Sequence, residues 1–108
     1  NEEEETLRTA AVGALALMNS APAQESIAKV ALADDSSEDL RLASFGALSE
    51  SAQRFGNLLG EKLVEQVVTA ASETPDLVMR TAASQALGAL NLATNQASEI
   101  IRKYNRDS

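Results

Sequence analysis

Three nine-residue segments set the rhythm of the chain: LRTAAVGAL at 7–15, LRLASFGAL at 40–48 and MRTAASQAL at 79–87. In each, apolar residues return at the three- and four-residue steps that put side chains on one face of an α-helix. Leu40, Ala43, Ala47 and Leu48 make one such stripe, and Met79, Ala82, Ala83, Ala86 and Leu87 another. A second apolar segment with the same period follows each of them. These segments hold Ile27, Val30 and Ala31, then Leu63, Val64, Val67, Val68 and Ala71, then Ala97, Ile100, Ile101 and Tyr104. No stretch alternates with the two-residue period of a strand. The pattern predicts an all-α fold of about six helices in three antiparallel pairs, at roughly 3–17, 22–33, 36–55, 58–72, 75–91 and 95–105. Leu15, Leu48 and Leu87 fall at equivalent core positions.

The repetition also predicts the architecture. Arg8, Arg41 and Arg80 align at intervals of 33 and 39 residues, within the period range of solenoid repeats. The chain then reads as one domain of three units, 1–33, 34–72 and 73–108. Start signals precede two of the repeated helices. Thr74, Pro75 and Asp76 read as a cap, a first-position proline and a first-turn acid, and Asp35 with Glu38 reads as a capping box. In the middle unit the apolar rhythm runs on through Ser51, Ala52 and Phe55 to Gly56, a helix-ending residue. SAQRFGNLLG therefore reads as about one additional helical turn and a longer connection, with Phe55 packed.

Composition narrows the chemistry. Of 108 residues, 44% are apolar but only 3% aromatic, so the core is built from Ala, Leu, Val and Ile. Such small side chains suit closely approaching helices. There is no Cys, hence no disulfide framework or thiolate metal site, and the redox compartment stays open. There is no His either, which removes the usual proton-transfer group near neutral pH and the usual nitrogen ligand of zinc. Glu61 and Glu65 lie four apart with Lys62 beside them, the pattern of an ordinary exposed helical stripe. The five glycines are scattered and form no phosphate-cradling loop. Catalytic residues, metals and cofactors are therefore not expected, nor is a bilayer span, since no apolar run approaches about 20 residues.

The net charge of −7 sits in residues 1–40, where nine acids face Arg8 and Lys29, while 41–108 balance. An acidic half repels phosphate backbones, so nucleic acid is not an expected partner. The run Glu2–Glu5 suits the first turn of a helix, where negative charge complements the dipole.

The string D-x-x-x-x-[LVM]-R-x-A-[AS]-x-x-A-L, present as DSSEDLRLASFGAL and approximated by TPDLVMRTAASQAL, resembles HEAT-like repeats of the short bacterial type found in phycobilin lyases. The resemblance spans nearly the whole chain. It implies an α-α superhelix in which the Asp caps the first helix of a unit and the Arg ties units together. Asp35 and Arg41 match this pattern, whereas Glu2 and Thr74 depart from it at the Asp position. Of the family's activities, di-iron hydroxylation needs His-Glu motifs that this chain lacks. DNA glycosylases of the fold use basic, aromatic surfaces. A non-catalytic scaffold that binds a protein or peptide is the leading expectation. The alternatives are a fragment or subunit of a bilin-lyase-like enzyme and an architectural spacer.

In HEAT-like stacks the second helices line the concave surface. Their polar positions here are Glu25 and Lys29, then Lys62, Glu65, Gln66 and Thr69, then Glu99, Arg102 and Lys103. This is the candidate binding surface, fitted to a partner segment of negative or mixed charge. The ends of the stack complete the picture. IRKYNRDS is polar enough to cap the C-terminal side. The first helix holds Leu7, Ala10, Ala11, Val12, Ala14 and Leu15, too apolar to be covered on one side alone. The expectation is either more helical repeats upstream, in keeping with a chain that starts at Asn1, or self-association around Val12.

Overall fold

A computed structural model describes residues 2–94 of the chain. These are all-helical, with no strand among them, and form α1 (Glu2–Leu15), α2 (Ala21–Leu32), α3 (Glu38–Phe55), α4 (Glu61–Glu73) and α5 (Leu77–Thr94). The expected helix at 95–105 and the polar C-terminal cap lie outside the described residues. No described helix is long and apolar enough to cross a membrane.

Local chemistry fixes the boundaries. The Oγ of Ser20 accepts the Ala23 N–H and Pro22 sits in the first turn, so α2 starts as the sequence implied. The caps of α3 and α5 lie two residues beyond the expected Asp35 and Thr74. Ser37 Oγ accepts the Leu40 N–H at 3.1 Å, and Asp76 Oδ1 accepts the Val78 N–H at 3.0 Å. Thr74 instead closes α4, its N–H donating to the Ala70 carbonyl. Gly56 ends α3 at φ 85°, ψ −175°, a region open essentially to glycine alone. The helical excess expected of the middle unit is real only against the first. Phe55 lies seven residues past Leu48 and Thr94 seven past Leu87, whereas α1 stops at Leu15. The connection is no longer than its counterpart, because both 16–20 and 56–60 hold five residues.

Three hydrogen bonds orient the helices. Ser37 donates to Glu5, and the Glu38 carboxyl stands beside that of Asp76, so the N-terminal ends of α1, α3 and α5 lie together. With α3 packed against both α1 and α5, the three form a parallel row. Gln24, near the start of α2, reaches Ser51 near the end of α3, while Arg41 reaches back to Ala31; α2 is thus antiparallel to α3. Among the described residues α4 packs on α5 and against α2, and its backbone does not come close to that of α3. The close pairs are therefore α2 with α3 and α4 with α5, not the α1–α2 and α3–α4 pairs that the repeat boundaries suggested. The reason lies in the connections. The turns 33–37 and 74–76 fold each helix back on its predecessor, while the links 16–20 and 56–60 step across to the next pair.

The core is built mainly from Val12, Ile27, Leu40, Phe45, Leu48, Val67, Met79 and Leu90, with buried alanines between them. Alanine 28, 31, 83 and 86 are fully buried, which lets the helix axes come close. Of the three equivalent leucines only Leu48 is fully buried. Leu15 and Leu87 are half-buried, and in α5 the buried position passes to Leu90, one turn on. Val12 is also buried, contrary to the expectation of a surface centred on it. It belongs to the core cluster.

Candidate functional site

The α4 helix exposes one complete face. Lys62, Glu65, Gln66, Thr69, Ala70 and Glu73 follow each other at helical spacing and form one wall of an open groove of about 550 Å³. Leu32, Asp34 and Arg41 face them from the end of α2 and the start of α3. Among the described residues the α3 and α4 backbones stay apart, which leaves this space. Ala70 and the neighbouring Val67 anchor α4 to the core, so its polar positions are turned outward.

Arg41 is the best-fixed charge in the groove. Its Nε donates to the Ala31 carbonyl at 2.8 Å, taking up one of the terminal carbonyls that α2 leaves unpaired. One guanidinium nitrogen lies 3.9 Å from Asp34, whose own side chain is fully solvated. That ion pair adds little, being long and open to water. The carbonyl bond sets the side chain. Arg80 repeats the arrangement more loosely, donating to the Thr74 carbonyl at 3.4 Å. Arg8, third in the motif, is exposed and has no such bond among the described residues. The groove thus offers Arg41 and Lys62 beside Asp34, Glu65 and Glu73, charges of both signs along one wall and at one end.

The sequence-derived surface is partly assembled. Lys62, Glu65, Gln66 and Thr69 line the groove together. Glu25 and Lys29 do not line it; they continue the Leu32 face of α2 toward its start by the i, i+4, i+7 spacing. Glu99, Arg102 and Lys103 lie outside the described residues. Sequence reasoning missed Leu32, Asp34, Arg41 and Glu73 as lining residues. Arg41 was legible as a structural residue, but its place on a groove wall depends on how α4 is set against α2.

A second polar feature is hidden. Gln24 is fully buried. Its Nε2 donates to Ser51 Oγ and to the Gly56 carbonyl, both at 3.0 Å, and its Oε1 accepts the Leu58 N–H at 2.8 Å. This side chain fixes the 56–60 link and so the position where α4 begins. At the other end of α3, Glu38 has its carboxyl held above the usual range by the hydrogen bond with Asp76. Repulsion from Asp76, slight desolvation and Asp39 add to the shift. That pair stands at the N-terminal ends of α3 and α5 and is not part of the groove lining.

A smaller depression of about 420 Å³ between α3 and α5 is lined by Leu42, Leu77, Val78, Thr81, Ala82 and Gln85, without any charge. No group of three or more potential metal ligands occurs among the described residues. Comparison of the chain with protein families, curated proteins and solved structures finds no match.

Proposed function

We propose that the protein is a non-catalytic helical-repeat scaffold of the HEAT-like kind, and that the α4 groove holds a protein or peptide segment bearing charges of both signs. The observation that carries the reading is the convergence of Lys62, Glu65, Gln66 and Thr69, expected from sequence to form a recognition surface, on one open groove. The parallel row α1–α3–α5, the second layer α2–α4 and the recurring arginine clamp support a superhelical stack. Arg41 and Lys62 on one side of the charge balance and Glu65 and Glu73 on the other favour a mixed segment over a uniformly acidic or basic one.

A photo-crosslinking side chain at Gln66 tests this against one at Ser84, exposed on α5. A panel of mixed-charge peptides should crosslink at 66 and not at 84, and Lys62→Glu with Glu65→Lys should abolish capture. Equal capture at both positions rejects the groove. A bilin added to the protein should keep its free absorption spectrum; a shifted spectrum would favour a lyase-like activity instead.

A further inference from the structure

The first helix of the row leaves bare what the next two bury. In register, Leu7, Ala10 and Ala14 of α1 correspond to Leu40, Ala43 and Ala47 of α3 and to Met79, Ala82 and Ala86 of α5. Leu40, Ala47, Met79 and Ala86 are buried, and Ala43 and Ala82 half-buried. Each of those helices packs against the one before it in the row and against its antiparallel partner: α3 against α1 and α2, α5 against α3 and α4. Among the described residues α1 has no helix ahead of it. Leu7 is accordingly 70% exposed, Ala10 and Ala14 are exposed, and Leu17, in the turn that closes α1 with its N–H on the Ala14 carbonyl, is 58% exposed.

We propose that this face binds the same face of a second copy of the chain, antiparallel, about a twofold axis level with Val12. The order of side chains argues for it. Leu7, Ala10, Ala14 and Leu17 read large, small, small, large at steps of three, four and three, the spacing of a coiled-coil seam. A twofold interface must be self-complementary, and this one is. Leu7 of one copy meets Leu17 of the other, and Ala10 meets Ala14. The alanines let the axes approach and the leucines close the ends.

Charge selects the orientation. A parallel pair would set two Glu2–Glu5 runs side by side, with like charges repelling. An antiparallel pair sends each run to the opposite end, past Leu15, where α1 of the other copy stops. Residues 16–24, which follow there, hold no acid to repel it. The face also continues a packing mode that the fold already uses, since α2 lies antiparallel on α3. A single helix pair buries less than the roughly 800 Å² per partner of a standard interface. The dimer is therefore expected to be weak, with a dissociation constant of about 0.1–1 mM.

Sedimentation velocity over a concentration series up to about 1 mM should show a monomer–dimer equilibrium. Leu7→Glu, at a solvent-exposed site, should leave the circular dichroism unchanged and weaken association by about tenfold or more, since it sets a charge in an apolar seam. Because the chain has no cysteine, Ala10→Cys and Ala14→Cys proteins can be mixed and oxidised. The antiparallel pair predicts mainly crosslinks between the two different variants. A protein that stays monomeric throughout, a Leu7→Glu variant that dimerises like the parent, or crosslinks mainly between identical variants would each overturn the proposal. None of these outcomes depends on the α4 groove.

Discussion

The side-chain carbonyl of Gln24 accepts the backbone N–H of Leu58 at 2.8 Å, across 34 residues of sequence. With its amide donating to Ser51 and Gly56, one buried side chain joins the start of α2, the end of α3 and the link to α4. A buried donor or acceptor stripped of its partner costs about 1–3 kcal/mol. Gln24→Ala strips the Leu58 N–H and the Gly56 carbonyl together. We expect a loss of roughly 2–4 kcal/mol, read from urea midpoints. A loss within the roughly 0.5 kcal/mol typical of surface positions would mean that the link is held by something else.

The leucines of the repeated motif should not behave alike. Leu48 is fully buried, whereas Leu87 is half-buried beside a buried Leu90. Leu48→Ala should cost roughly 2–5 kcal/mol through lost burial and a residual cavity. Leu87→Ala should cost about 1–2 kcal/mol, in proportion to the smaller area withdrawn from water. Equal losses in parallel denaturation curves would show that the repeats are equivalent after all.

The arginines give a graded series from one motif position. Arg41 holds its carbonyl at 2.8 Å, Arg80 at 3.4 Å, and Arg8 is exposed without such a bond among the described residues. A hydrogen bond from a charged donor contributes about 1.5–3 kcal/mol when well made, and a long one less. Alanine at 41 should therefore destabilise most, at 80 less, and at 8 by no more than about 0.5 kcal/mol. Thermal melts of the three variants check the order, and a different ranking would detach the motif from the clamp.

How much of this was legible in the chain depends on the range of the contact involved. Helix class and period came through because Leu40, Ala47 and Leu48 repeat a local spacing that needs no partner to be read. The caps were displaced by two residues because Ser36 and Ser37, or Thr74 and Asp76, offer competing side chains within one turn, and only the backbone path chooses between them. Helix pairing was misread because nothing local tells whether a five-residue link folds back or steps across. Gly56 was visible as a stop signal, but its role beside Gln24 was not, since the two lie 32 residues apart. The groove was half legible. The α4 stripe is periodic, but the opposing wall of Leu32, Asp34 and Arg41 is a product of packing.

The carboxyl pair at the head of the helix row supplies a dependence on pH. Glu38 opens α3 and Asp76 caps α5, and their carboxyls stand close enough to share a hydrogen bond once one of them carries a proton. When both are ionised they repel, and Asp39 adds to the repulsion. The positive ends of the helix dipoles oppose this by favouring ionised groups. The balance holds the folded-state Glu38 above the ordinary 4.5. In the unfolded chain the two acids separate and Glu38 titrates at that ordinary value. The native state therefore binds this proton more tightly. The contribution to stability is complete below the unfolded value and is lost as pH rises through the raised folded one. Glu38→Gln keeps a donor for Asp76 at every pH and removes the repulsion. Near pH 4 and below, parent and variant should unfold at similar urea concentrations. Towards pH 7 the variant should become progressively more stable than the parent. The side chain is solvent-exposed, so the gap should shrink in added salt. A gap that stays constant from pH 4 to 7, or one that opens in the opposite sense, would show that the two carboxyls do not share a proton.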